Sequence, residues 1–477
     1  MPFRVQIVFA AAEVAPFAKV GGLADVAGSL PQALASLGHE LTVYLPLHRS
    51  IDRARHGVPA DGLVRSVPYG ASRVRIAYPS MTREGVRFVF IENERRIGRD
   101  KVYGAPDDDR RYSLFCRAVA EDLAAGQAPD VVHAHDWHAA LLVPMVGRSY
   151  ERLKGTATVF TIHNLAYQGR TTDRILPLVG LPAERLPIEK TGECNPMARG
   201  IAAADIVSTV SERYAQEILA PEFGEGLQGL LGSRRDDLYG IVNGIDTAFF
   251  DPATDRHIAA RYDTQDQSGK AASKEALQRE SGLRVDPKAP LFGVIGRLVE
   301  QKGIDLLTAA APGLLAAGGQ LVVLGTGEPS YEEKWRAFAE KHRQDLSLTL
   351  GFDAALAQRI YAGADLFLMP SRFEPCGLGQ LISLRYGTIP VVRAVGGLAD
   401  TVRDLDRDPA RGNGFSFAEY APAAFADAIS RSIRAFRGGT DWPALRARAM
   451  REDHSWGASA ARYVEMYRTA AKARRAA

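Results

Sequence analysis

Apolar residues in this chain fall mainly into short runs separated by stretches of helical spacing. RVQIVFAAA, near the N-terminus, is a run of strand length. In SLPQALASLGH, Leu30, Leu34 and Leu37 share one helical face and Gly38 supplies a stop, while Pro31 predicts a kink or a restart. ELTVYLP follows as a strand, as do DVVHAH, TATVFTIHN, DIVSTVS and LYGIVNG, with a helix predicted over WHAALLVPMVGRSY. Strands that alternate with helices build a parallel sheet. Residues 61–91 alternate more strictly and predict an antiparallel insertion.

The pattern lapses at about 251–290, where polar and charged residues leave only a surface helix. It restarts with the strands PLFGVIGR, QLVVLGTG, LSLTLGF, DLFLMPS and TIPVVRAVG. HSWGASAARYVEMYRTAAKARRAA reads as one helix whose basic end suits the helix dipole. The expectation is α/β: a doubly wound domain over 1–248, a connection over 249–288, a second doubly wound domain over 289–454 and a terminal helix over 455–477. A chain of 477 residues is too long for a single core.

The formal charge of +3 points away from nucleic acid as the main partner and leaves local cationic clusters for a small anion. Cys116, Cys194 and Cys376 form no CxxC pair, which argues against a disulfide framework or structural zinc and fits a reducing cytoplasm. No apolar run reaches the length of a membrane span. Glu13 and Lys19 follow the first apolar run, so the N-terminus reads as a buried strand entering a loop rather than a signal peptide.

One hexapeptide occurs twice, as Val20-Gly21-Gly22-Leu23-Ala24-Asp25 and as Val395-Gly396-Gly397-Leu398-Ala399-Asp400. Each copy lies where a strand runs into a tight loop before a helix. Paired glycines there allow either a sharp turn or the close approach of a ligand. Lys19 precedes the first copy and Ala394 the second, so the first is read as ligand-binding and the second as mainly structural.

In FGVIGRLVEQKGID, Arg297 and Lys302 follow a buried strand where a helix should begin, a favourable site for a diphosphate. In LMPSRFEPCGLGQL, Glu374 and Cys376 stand between a strand and a helix, with the carboxylate able to accept hydrogen bonds from sugar hydroxyls. Cys376 is read as a packed thiol. VVHAHDWHAAL gathers His133, His135, Asp136 and His138, but no second cluster completes a zinc ligand set. TVFTIHNLAYQG brings His163 and Asn164 to another strand end, whereas Tyr103, Asn243 and Asp246 are equally at home in turns. Ligands of open α/β sheets bind beyond the carboxyl ends of the strands, where residues 19–25, 136, 163, 297–302 and 374–380 are expected.

The same segments carry a family resemblance. KVGGLADV, HAHDWHA, TIHNLAYQG, VNGID, GRLVEQKG, EPCGLGQL and VGGLADTV resemble, in order and at similar spacing, the motifs of bacterial glycogen synthases and plant starch synthases. The resemblance spans nearly the whole chain. It implies a GT-B fold, with two Rossmann-like domains around a deep cleft and the last helix crossing back to the first domain. It also implies transfer of glucose from ADP-glucose to the non-reducing end of an α-1,4-glucan, with retention, in the cytoplasm, with no cofactor or metal, and with no nucleic-acid or membrane partner.

By the same resemblance, Lys19 contacts the donor near its phosphates and Gly21 and Gly22 give backbone access. Arg297 and Lys302 neutralise departing ADP, Glu374 holds the glucose hydroxyls, and Cys376, Gly377, Leu378, Gly379 and Gln380 line the donor site. His163 lies beside the anomeric carbon, with Asn164 next to it, and Asp136 hydrogen-bonds the sugar. Asp25, Tyr103 and Asn243 are further substrate contacts. Gly379 and Ile382 depart from the family's usual Thr and Tyr, which removes a hydroxyl near the nucleotide.

Three other readings compete. An NAD-dependent oxidoreductase should show G-x-G-x-x-G after its first strand, and AEVAPFAKVGG stands there instead. A glucan-binding protein without catalysis does not call for Lys19, His163, Arg297, Lys302 and Glu374 together. A UDP-glucose-using or sucrose-forming enzyme is the nearest alternative.

Overall fold

The protein is described by a computed structural model over residues 4–476, which divide into two compact units. The first comprises the chain up to Gly244 together with the last helix, Trp456–Ala476; the second runs from Ile245 to Ser455.

The first unit is built on an eight-stranded sheet. Its seven parallel strands, in chain order, are Gln6–Ala10, Glu40–Pro46, Val86–Ile91, Val131–His135, Ala157–Ile162, Ile206–Thr209 and Leu238–Gly240. In space they run third, second, first, fourth, fifth, sixth, seventh, and Ser80–Arg83 adds an antiparallel edge beside the third. The central strands are almost continuously buried, as expected where helices cover both faces.

The predicted antiparallel insertion is only partly present. Leu63–Tyr69 and Ser72–Tyr78 form an antiparallel ribbon, but Val86–Ile91 pairs in parallel with Glu40–Pro46. Five of the six side chains of Val86–Ile91 are buried, and this near-continuous apolar run suits the main sheet better than a ribbon. Pro31 does not break its helix, which runs unbroken from Gly22 to Ser36. Leu23, Val26, Leu30 and Leu34 are buried along it, and that burial outweighs the roughly 3 kcal/mol a mid-helix proline costs. The helix expected after Val131–His135 is two short ones, Asp136–Ala140 and Leu142–Arg148. The last helix packs on this unit: Tyr463 and Tyr467 are buried, and Ser459 donates to the Val242 carbonyl at 2.7 Å.

The second unit has six parallel strands, Leu291–Ile295, Gln320–Gly325, Leu346–Leu350, Leu366–Met369, Ile389–Arg393 and Phe415–Phe417. Their spatial order is third, second, first, fourth, fifth, sixth, the doubly wound arrangement of Rossmann-like folds. The polar stretch 249–288 is not a free connection, because it lies within this unit. Polar side chains anchor it. Lys270 Nζ is buried and donates to the carbonyls of Tyr361 at 3.1 Å and Tyr386 at 2.9 Å, and to Thr388. Lys274 pairs with buried Asp365 at 2.6 Å, and Arg446 pairs with the other oxygen at 2.7 Å. The Leu291 N–H also donates to Asp365, at 3.0 Å, which ties the pair to the first strand. Among the described residues, no helix is long and apolar enough to cross a membrane.

Breaking this buried network should be costly. Asp365→Ala leaves two cations without their partner and is expected to destabilise the second unit by about 3–5 kcal/mol. A lowered urea midpoint in that unit's unfolding transition would register the loss; an unchanged midpoint would contradict it.

Candidate functional site

In each unit the first and fourth strands are neighbours, and the predicted residues collect beyond their carboxyl ends. In the first unit the chain leaves Gln6–Ala10 through a loop that carries Glu13 and Lys19 before the helix at Gly22. Glu13 Oε2 accepts from the N–H groups of Val20 at 2.5 Å and Gly21 at 3.0 Å, and its carboxyl also hydrogen-bonds the Tyr103 hydroxyl. Burial raises the Glu13 pKa against the pull of these three donors. Lys19 Nζ pairs with Asp25 Oδ1 at 2.6 Å, and burial raises the Asp25 pKa against the effect of that lysine. Burial and the neighbouring Glu13 push the Tyr103 pKa well up, so its phenol keeps its proton.

Asp136 follows the fourth strand with a φ of +55°, an unusual conformation for a residue other than glycine. Its Oδ1 accepts from the His163 N–H at 2.7 Å, which ties the fourth strand's end to the fifth's. Desolvation pushes its pKa up to about 7, against the N–H groups of His163 and Asn164 and with Glu13 adding to the rise. The His163 ring lies 3.0 Å, Nε2 to Nδ1, from buried His135, and desolvation lowers its pKa to about 3, so it is neutral at ordinary pH. Asn164 Oδ1 accepts from the Ala166 N–H at 3.1 Å and shapes the turn. His133 and His135 are fully buried, and His133 bonds Tyr467 and Thr161. Among the described residues no group of three or more His, Cys, Asp or Glu is arranged to hold a metal.

In the second unit, Arg297 is exposed two residues beyond the first strand and donates to Gln301 at 2.7 Å. Lys302 Nζ meets Glu374 Oε2 at 2.5 Å, and the Ser371 hydroxyl donates to the same oxygen at 3.0 Å. Glu374 is only 6% exposed, so its carboxylate is held at one place between the first and fourth strands. Cys376 is buried and in no disulfide.

The two hexapeptide copies differ in what their glycines do. A Cβ at Gly396 would lie 1.9 Å from the Glu374 carbonyl oxygen, and one at Gly397 would lie 2.2 Å from that of Cys376. Gly396 also has a φ of +45°. These glycines let a helix pack directly against the loop that holds Glu374. At Gly21 φ is −138°, and a Cβ would meet only Glu13 Oε1, at 3.4 Å. Neither conformation nor crowding requires glycine there.

Two further predicted contacts are buried. Gln380 is fully buried, and its Nε2 donates to the carbonyls of Cys376 and Gly377 and to Thr401. These bonds brace the Glu374 loop. Asn243 is buried beyond the edge strand Leu238–Gly240, which two strands separate from Val131–His135. Leu378 precedes the helix Gly379–Arg385, and a Cβ at Gly379 would come within 2.9 Å of the Phe367 ring. The ring occupies the room that a side chain at position 379 would need. Ile382 is buried in an apolar cluster with Phe367 and Tyr386. Sequence reasoning did not assign roles to Glu13, His135, Ser371 or Phe352. Phe352, placed by the sequence pattern at the end of the strand LSLTLGF, lies two residues beyond the third strand of the second unit and is 87% exposed.

Residues 6–233 match the family described as starch synthase catalytic domain, and residues 289–435 match glycosyl transferases group 1. A glycogen synthase of Anaeromyxobacter dehalogenans is 48% identical, over 98% of this chain and 100% of its own. One of Geotalea daltonii is 43% identical, over 97% of this chain and 98% of its own. The catalytic domain of starch synthase IV from Arabidopsis thaliana, bound to ADP and acarbose, superposes with a TM-score of 0.92 at 35% identity, covering 98% of this chain and 100% of that one. A sucrose-phosphate synthase of Thermosynechococcus elongatus, at 17% identity and a TM-score of 0.62 over 98% of each chain, shares the fold alone.

Two outcomes follow from these contacts. Gly396→Ala should cost more than about 1 kcal/mol while Gly21→Ala stays within about 0.5, as read from thermal unfolding. The unfolded Asp136 carboxyl ionises near 3.8 and the folded one near 7, so this group lowers stability as pH rises between the two values. Asp136→Asn should therefore gain in Tm relative to the parent from pH 4 to pH 8, and a constant difference would contradict the assignment.

Proposed function

The chain belongs to the family of glycogen and starch synthases and is a glycosyltransferase, and from that premise we propose that it carries glucose from ADP-glucose to the non-reducing end of an α-1,4-glucan, with the anomeric configuration retained and without a metal. The observation that carries this reading is the Lys302–Glu374 contact at 2.5 Å, with Ser371 on the same oxygen and Arg297 exposed beyond the first strand. It provides cations for a diphosphate and a fixed acceptor for sugar hydroxyls. Support for a nucleotide and a glucan as ligands comes from starch synthase IV, whose structure holds ADP and acarbose. Three buried cysteines, none in a disulfide, fit a reducing cytoplasm.

In the proposed reaction the bond from the anomeric carbon to the β-phosphate oxygen breaks, and its electron pair leaves with ADP. The 4-hydroxyl of the acceptor forms the new bond on the same face, and its proton passes to the departing oxygen. Arg297 and Lys302 stabilise the charge that grows on the diphosphate, so they act more on the transition state than on the ground state. That is work a metal ion does in other enzymes. Glu374 and Asp136 orient the sugar, and neutral His163 stands beside the carbon that acquires oxocarbenium character. Lys19 acts near the phosphates, where Gly21 leaves the backbone open. The exposed ring of Phe352, just beyond the carboxyl end of the third strand, is assigned to stack on the base.

Labelled ADP-glucose or UDP-glucose, supplied with a glycogen primer, tests the reading. Polymer should be labelled chiefly from ADP-glucose; equal use of both would overturn the donor assignment. Arg297→Ala and Lys302→Ala should each slow transfer about a hundredfold, the loss of ~3 kcal/mol of transition-state stabilisation. Near-normal rates for both would remove the charge argument. Phe352→Ala should raise the donor KM about tenfold at nearly constant kcat, as expected for a lost base-stacking contact.

A further inference from the structure

The first unit carries a line of buried rings that the proposed reaction does not use. His135 is fully buried, and Phe9 stacks on it at 5.0 Å between centroids, with His133 at 4.1 Å. His133 is held at both nitrogens, by the Tyr467 hydroxyl of the last helix at 2.8 Å and by Thr161 Oγ1 at 2.5 Å. The His135 ring therefore has little freedom to turn. Its Nδ1 lies 3.0 Å from His163 Nε2, and its Nε2 is buried with no hydrogen-bond partner among the described residues.

That accounting decides where the protons sit. Burial keeps both rings neutral, so each carries one proton. A buried N–H left unpaired is rarer in proteins than a buried acceptor left unpaired. The His135 proton therefore belongs on Nδ1, where it has an acceptor. His163 Nε2 must then be that acceptor, and the His163 proton is on Nδ1. We propose that His135 is a positioning residue that fixes His163 in its Nδ1–H tautomer, so that the ring nitrogen not engaged by His135 is a hydrogen-bond donor toward the reacting sugar. The opposite tautomer would present a lone pair there and would compete for the proton of the acceptor hydroxyl. The tautomer is assigned from hydrogen-bond accounting, and its catalytic consequence rests on His163 acting at the sugar as proposed above.

The tautomer can be read directly in the unaltered full-length protein. In long-range nitrogen–proton spectra of histidine-labelled protein, the signals lost in His163→Asn identify His163. They should show a protonated Nδ1 and an unprotonated Nε2; the reverse overturns the inference whatever the activity. Kinetics supply an independent reading. His135→Asn keeps an amide nitrogen near the place of Nδ1 and should retain kcat within about threefold. His135→Gln and His135→Phe should lower kcat at least tenfold with the donor KM within about threefold. Equal kcat in all three variants, with unchanged near-ultraviolet dichroism, would overturn the positioning role, as would a loss in His135→Asn equal to that in His135→Phe. If the unaltered protein transfers no glucose, the functional reading fails, while the spectra still decide the tautomer.

Discussion

Where the first and fourth strands of a doubly wound sheet lie side by side, the chain leaves their carboxyl ends in opposite directions. The crevice that results is the one place on such a sheet where backbone N–H groups and loop side chains converge without a crossing helix to cover them. Both units obey this constraint. In the first, Glu13, Lys19 and Asp136 follow its two switch-point strands, and His163 follows the next one out. In the second, Arg297 and Lys302 follow the first strand, and Ser371 and Glu374 follow the fourth. The rest of each unit serves to hold those strand ends still.

The repeated hexapeptide shows that a sequence pattern does not determine a physical role. Both copies open a helix, at Gly22 and at Gly396. Around the second copy, backbone approaches so closely that any side chain would displace the carbonyls of Glu374 and Cys376. There glycine is a packing requirement, and its beneficiary is the carboxylate six residues along the same loop from Gln380, which closes the arrangement with three hydrogen bonds. Around the first copy the space is open, and Glu13 already takes up the N–H groups of Val20 and Gly21. At Gly21 neither backbone conformation nor crowding calls for glycine.

Much of this was legible in the order of residues. The alternation of strands and helices, both doubly wound units and the strand-end positions of His163, Arg297 and Glu374 follow from short buried runs and the rule for carboxyl ends. Three kinds of feature were not legible. Val86–Ile91 could be assigned to the parallel sheet only by knowing that helices cover both of its faces. The stretch 249–288 looks like a linker because its anchors, Lys270 and Lys274, are residue types that are usually exposed. Gln380 sits within a run that resembles ligand contacts, yet its amide faces inward, a fact about three-dimensional bonding that spacing does not encode.

The two units also divide the electrostatic work differently. In the first, burial opposes charge: His133, His135 and His163 are held neutral, and the carboxyls of Glu13, Asp25 and Asp136 are harder to ionise than usual. In the second, cationic side chains stand beyond the first strand. Lys302 is ion-paired, whereas Arg297 donates to neutral Gln301. A lysine carries about 2 kcal/mol of rotamer entropy, and the contact with Glu374 removes much of that freedom before any diphosphate is engaged. Binding energy that would otherwise order the side chain remains for the transition state. At the strand ends of the first unit the imidazoles are neutral, and there the identity of the donor on each ring matters more than its charge. Under the proposed reaction, a leaving group that gains negative charge would meet cations fixed beforehand, which need no reorganisation as the charge develops.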